Sequence, residues 1–310
     1  MLSSEQKKQN AYQYCMAIAQ NHYENFPVAS KLLNKQLRFP VSAVYAFARS
    51  ADDFADEGDL SKEQRLSLLD EYNNELNAIE QQLTRWSANT AANQQQAFFH
   101  DSKNIIFIAL ADVIHQFKIP VNLFYDLLKA FKQDVITTRY ANFNDLLAYC
   151  QLSANPVGRI LLYLNNSVSE ENLTCSDAIC TGLQLINFYQ DIAQDIDEND
   201  RLYLPLDEMK QLAVTENDIK AHLNNNQTQA LIKQQLLRTQ SLYQSGMPLC
   251  FNLSGRFALE ISMIYMGGKL ILDKLEANTK TIYLRPRLTR FDKLKLIWQG
   301  LFLKYYLSTH

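Results

Sequence analysis

The chain has 310 residues and a formal charge of −3, with 30 Lys and Arg against 33 Asp and Glu. Eight glycines and seven prolines make up about 5% of it, against about 12% in average usage, while 47% of its residues are hydrophobic. So few turn formers exclude sandwiches, barrels and Pro-rich chains, the apolar content excludes disorder, and the charge balance offers nothing to nucleic acid.

Helical spacing of apolar residues predicts helices over 4–23, 28–35, 40–54, 61–84, 94–117, 120–132, 143–165, 174–195, 206–211, 215–224, 226–250, 252–277 and 289–306. Pro27, Pro40, Gly58-Asp59, Pro120 and Pro205 separate them, and 85–94 and 196–205 read as loops. There is no alternating strand of useful length, no repeat of 20–50 residues and no linker. One all-α domain over 1–310 is expected. The five cysteines (Cys15, Cys150, Cys175, Cys180, Cys250) are scattered and odd in number, which predicts buried free thiols in a reducing compartment rather than zinc or disulfides. The N-terminal MLSSEQKKQNAYQYC lacks the apolar stretch of a signal peptide, and no run of 18 apolar residues predicts a membrane span.

Two segments depart from a plain amphipathic helix. In YAFARSADDFADEGD, residues 45–59, Asp52 and Asp56 are four apart and share a helix face after the apolar stretch Val44 to Phe47. In QLINFYQDIAQDIDEND, residues 184–200, Asp191 and Asp195 repeat the spacing, with Gln184 and Asn187 on about the same face. Like charges at this spacing destabilise a solvated helix by a few tenths of a kcal/mol and a desolvated one far more. A cation that neutralises them explains their retention, and Mg²⁺ suits oxygen ligands that share it with a phosphate. Two such helices would hold several Mg²⁺ ions and, through them, a diphosphate. The alternative is a pair of solvated acidic faces. No GxGxxG, P-loop, HExxH or Gly-x-Ser-x-Gly competes with this chemistry.

These residues carry a resemblance. Tyr45-Ala46-Phe47-Ala48-Arg49 running into Asp52-Asp53-x-x-Asp56-Glu57, the Tyr149-Cys150 helix, Gln184 to Asp195, and the flap Arg201-Leu202-Tyr203-Leu204-Pro205 resemble the squalene/phytoene synthase family over nearly the whole chain. Within it, His22 to Pro27, Thr138-Arg139-Tyr140 and Ser153-Ala154-Asn155-Pro156-Val157-Gly158-Arg159 are most similar to the hydroxysqualene synthases of bacterial hopanoid synthesis. One departure is Asn199-Asp200-Arg201, where a Lys-Gly-Arg turn is commoner, and it puts the flexibility of the flap in question.

The resemblance implies an all-α, single-domain isoprenoid-synthase bundle around a central apolar cavity, with the two Asp motifs on opposite walls near its mouth. It implies Asp52, Asp56, Asp191 and Asp195 as catalytic residues that bind Mg²⁺ together with Asn187. Arg49, Tyr149, Asn155, Gln184, Arg201 and Tyr203 are the expected substrate-binding residues. Asp53, Glu57, Asp197 and Glu198 are expected to tune the field or cap helices. The implied substrate is presqualene diphosphate, converted to hydroxysqualene by diphosphate release and water capture, with no NADPH. Condensation of two farnesyl or geranylgeranyl diphosphates, or a non-catalytic assembly role, stays open. The expected location is cytoplasmic, with contact of residues 291–307 to the inner membrane face and a partner synthase of the same pathway left open. Pro156 lies inside the predicted 143–165 helix, so a kink is expected there, with Asn155 beside it as a holder of one ordered water.

Overall fold

The computed structural model describes residues 2–21, 35–88, 98–278, 281–289 and 292. Among them the chain is helical, and a single isolated bridge pairs Arg139 with Leu202. Its contacts divide it into two compact units, 1–136 with 159–168, and 137–158 with 169–310.

In the first unit α1 (Ser4–Asn21) packs on α2 (Arg38–Asp56) and α4 (Ile105–Phe117), and α2 also meets α3 (Lys62–Ala88) and α5 (Asn122–Ile136). The buried face of α2 is made of Ala43, Ala46, Phe47, Ala51 and Ala55. Four alanines let the neighbouring helices close on Phe47, whose ring meets Tyr72, Phe107 and Phe124 at centroid distances of 5.7, 5.8 and 5.4 Å. At 100° per residue Arg49, Asp52, Asp53 and Asp56 fall on the opposite side of α2. The core therefore fixes which way the first acidic motif points.

In the second unit α8 (Glu170–Gln190) packs on α6 (Phe143–Ser153), α12 (Asn226–Ser245), α13 (Leu249–Asn252) and α14 (Gly255–Ala277). Ser169 caps α8 by accepting from the Asn172 N–H, and Glu170 and Glu171 suit its first turn. Tyr243 of α12 lies wholly buried, with Gly182 and Gly268 against it; a Cβ on either glycine would collide with its ring or hydroxyl. Its hydroxyl donates to the Tyr265 carbonyl at 2.9 Å.

The flap is stitched into this unit by backbone. Leu202 N–H donates to Thr138 O (2.9 Å), Leu206 N–H to Tyr140 O and Asp207 N–H to Ala141 O (both 3.0 Å). Asp200 adopts a left-handed φ of 47°, which Asp tolerates better than most residues. Its carboxylate is held by Arg139 and Lys220 at 2.9 and 2.8 Å, while the Arg139 guanidinium also donates to the Asp200 carbonyl. The flap thus turns at a tethered aspartate. Beyond it, α10 (Leu206–Gln211) is anchored through buried Glu208, which accepts from Gln234, Gln235 and Arg238. Burial opposes the charge of Glu208, but these donors, Arg238 first, hold its carboxyl below the usual range.

Several expected boundaries move. The 94–117 helix begins only at Ile105, because the Asn104 side chain caps the Ile106 N–H. The 143–165 helix breaks instead of kinking: α6 ends at Ser153 and α7 (Asn155–Leu164) starts after Ala154. Pro156 then sits in a first turn, where its missing N–H leaves no helix carbonyl unpaired. The 174–195 helix bends at Asp191 (φ −110°, ψ 15°), and α9 (Ile192–Asn199) extends into the expected 196–205 loop. Donation from Asp191 N–H to Asn187 O and from Asp195 N–H to Asp191 O continues across that bend. The 226–250 helix stops at Gly246, ahead of Pro248. The 215–224 helix shortens to α11 (Glu216–Lys220), with His222 in the left-handed region. The expected 85–94 loop starts late, as α3 runs to Ala88; the rest of it, most of the 28–35 and 289–306 helices and His22 to Pro27 lie outside the described residues. Among the described residues all five cysteines are free, four of them buried, and no helix is long and apolar enough to cross a membrane.

Glu260 of α14 is buried without a side-chain partner among the described residues, and burial pushes its carboxyl from 4.5 up to about 7. The folded state then prefers the protonated form, so stability falls as pH rises from 4.5 through 7. Glu260→Gln should stabilise the chain by roughly 2 kcal/mol at pH 8 and by little at pH 5. Urea unfolding at the two pH values measures this, and equal gains at both contradict it.

Candidate active site

The first motif forms entirely on α2. Arg49 extends along the helix surface and pairs with Asp53 at 2.8 Å, Glu57 at 2.5 Å and Asp52 at 3.6 Å. Asp52 is half-buried and Asp56, in the last turn, is exposed. Asp53 and Glu57 therefore steer the guanidinium of Arg49, a more specific task than the field-tuning expected of them.

The second motif straddles the α8–α9 bend. Projected at 100° per residue, Thr181, Gln184, Phe188, Asp191 and Asp195 share one stripe, with exposed Asn187 at its edge. Asp191 lies in the bend and Asp195 one turn into α9. Burial, then the charge of Asp191, pushes the Asp195 carboxyl up to about 7; Arg201 and Arg285 act in the opposite direction. Arg201 is brought to this place by its N–H, which donates to the Asp195 carbonyl at 3.0 Å. Asp197 and Glu198 point elsewhere, to His222 and Gln194 at 3.1 and 3.0 Å.

Tyr203 of the flap lies flat on Phe188, centroids 3.8 Å apart with 6° between planes. Tyr149 stands 6.2 Å from Tyr203 and 6.1 Å from Phe188, and Tyr140 completes the group at 5.5 Å from Tyr149. The structure so gathers four rings where the sequence marked two. At the lower end of the stripe, Thr181 donates its hydroxyl to the Asn155 side-chain carbonyl at 2.8 Å, with both residues buried. Asn155 is thus oriented by a side chain of α8, not left to the backbone of a kink, and its amide nitrogen finds no acceptor among the described residues.

Three residues escaped the sequence reading. Phe188 and Thr181 reveal themselves only through the helical stripe that also holds Gln184 and Asp191. Arg285 pairs with Asp191 across 94 residues, Nη2 to Oδ2 at 2.9 Å and Nε to Oδ1 closer still. No spacing rule reaches that far.

The donor set fits a hard divalent cation. Its members are carboxylates and one exposed amide, with no thiolate or imidazole. Burial first, then the charge of Asp191, raises the Asp195 carboxyl despite Arg201 and Arg285, a setting that a cation would relieve. Among the described residues no three His, Cys, Asp or Glu side chains come together as a closed cage. A cation held here would complete its shell with water and ligand oxygens, as Mg²⁺ does beside phosphates.

The squalene/phytoene synthase family model matches residues 19–293. The chain is 33% identical over 243 residues to the hydroxysqualene synthase of Zymomonas mobilis, spanning 78% of this chain and 75% of that one. It is 30% identical to the hydroxysqualene synthase of Rhodopseudomonas palustris, over 85% and 84% of the two chains. The squalene synthase HpnC from Alicyclobacillus acidocaldarius superposes with a TM-score of 0.76 at 29% identity, covering 88% of this chain and 95% of that structure. With the acidic stripe, its arginines and the stacked flap in place, the chain belongs to the squalene/phytoene synthase family of enzymes.

Proposed function

We propose that the chain converts presqualene diphosphate and water to hydroxysqualene, diphosphate and a proton. The observation that carries this reading is the stripe on α8, which runs from a buried amide–hydroxyl pair through stacked rings to two carboxylates. The relatives named for that reaction support it.

The substrate's C–O bond breaks heterolytically and the diphosphate leaves with the electron pair. Arg49 and Arg201 bind the departing phosphate oxygens, a task suited to their forked donors. Within the first unit Asp52 and Asp56, and within the second Asn187, Asp191 and Asp195, are the residues that would hold Mg²⁺, which would neutralise charge on diphosphate oxygens. The rings of Tyr149, Phe188 and Tyr203 stabilise the positive charge left on the hydrocarbon. Gln184 is a polar anchor on the same stripe. Asn155, its carbonyl already taken by Thr181, offers an amide N–H that positions one water. That water forms the new C–O bond and releases a proton to the diphosphate. Water serves as the nucleophile, so no NADPH is consumed.

Incubation with presqualene diphosphate and Mg²⁺, followed by mass spectrometry, should give hydroxysqualene without NADPH and nothing in excess EDTA. Asp52→Asn and Asp191→Asn should each slow turnover by about a hundredfold or more, with far-UV circular dichroism unchanged. Squalene formed only with NADPH, or presqualene diphosphate left intact while two farnesyl diphosphates condense, contradicts the reading.

Asn155→Ala and Thr181→Val should both raise hydrocarbon or rearranged products relative to hydroxysqualene while diphosphate release persists. An unchanged product ratio in both variants removes the water-positioning role from this pair.

A further inference from the structure

We infer that Arg285 is a displaceable internal counter-ion, which occupies Asp191 until a diphosphate takes its guanidinium and so makes divalent-metal binding at Asp191 depend on the diphosphate. The inference rests on the metal-binding role proposed above for Asp191. It stands on three features of the strap that carries Arg285.

The first is the grip itself. Arg285 meets both oxygens of Asp191, donating from Nη2 to Oδ2 at 2.9 Å and bringing Nε against Oδ1 as an ion pair. A divalent ion cannot use the same lone pairs while the guanidinium remains.

The second is the anchoring of the backbone. Pro286 follows Arg285 and restricts it to an extended conformation. Gln190, the residue before Asp191, donates to the Pro286 carbonyl at 2.5 Å. Lys274 donates to the Arg287 carbonyl at 2.9 Å and pairs with Asp292 at 2.5 Å. The strap is thus pinned just past Arg285, at Pro286, Arg287 and Asp292, while the Arg285 side chain makes the ion pair.

The third is exposure. The Arg285 side chain is 38% accessible, against 21% for Asp191. The guanidinium can turn from carboxylate to an incoming phosphate with no backbone movement. Diphosphate offers it a forked acceptor of higher charge, and the metal then takes the vacated carboxylate. By linkage, whatever the diphosphate gains from Arg285 appears as tighter metal binding in its presence.

Mn²⁺ binding followed by electron paramagnetic resonance on the full chain, with and without inorganic pyrophosphate, tests this without turnover. The wild type should bind Mn²⁺ weakly alone and about tenfold or more tightly with pyrophosphate. Arg285→Gln should bind Mn²⁺ alone several-fold tighter than the wild type, and the gain from pyrophosphate should shrink. Arg285→Lys, which keeps the charge but not the fork, should fall between. Mn²⁺ affinity in Arg285→Gln equal to or below that of the wild type overturns the inference while leaving the metal reading intact. Asp191→Asn that leaves every Mn²⁺ affinity unchanged overturns both.

Discussion

Two carboxylates four residues apart on a half-buried helix repel each other, and both acidic motifs of this chain meet that constraint in the same way. Each answers it with an arginine fixed to its own unit. On α2 the answer is local: Arg49 lies within one or two turns of Asp52, Asp53 and Glu57. At the α8–α9 bend it is remote: Arg285 arrives on a strap held by Gln190 and Lys274. A buried carboxylate without a cation costs several kcal/mol, and burial, then the charge of Asp191, pushes the Asp195 carboxyl up to about 7. The packing around the motifs serves that arrangement. The alanine face of α2 sets the orientation of the first pair. The close contacts of Gly182 and Gly268 with Tyr243 fix α8 beneath the second.

The flap shows how a local irregularity can be compensated. Asp200 takes a left-handed φ, and Arg139 and Lys220 tie down its carboxylate. Parallel backbone bonds to 138–141 then place Arg201 beside Asp195 and Tyr203 on Phe188. The flap of this chain is a tethered element in which chain geometry positions two candidate substrate-binding residues at once.

The parts of the site legible in the sequence are those set by helix period. Asp52 and Asp56, and Gln184 through Asp195, were readable because i, i+3 and i, i+4 spacing dictates a shared face whatever the tertiary structure. Contacts that depend on tertiary closure were not. Arg285 reaches Asp191 across 94 residues from an extended segment, and the ring of Phe188 gains its role only when the flap lies on it. The Pro156 region was half legible. One kinked helix is expected there, but the chain breaks at Ala154 and puts Pro156 in a first turn, and Thr181, invisible to local pattern, takes the Asn155 carbonyl. Helix ends depart from the apolar period where a cap such as Asn104 or a bend such as Asp191 overrides it.

Each carboxylate pair, with an arginine beside it at rest, is proposed to take up metal and diphosphate together. Thermal unfolding of the wild type and of the Asp52→Asn/Asp191→Asn double variant, with Mg²⁺ alone, pyrophosphate alone and both combined, tests it most directly. With both ligands the melting temperature of the wild type should rise by well more than the sum of the separate shifts, and the double variant should lose that excess. Additive shifts in the wild type, or the same excess in the double variant, would contradict it.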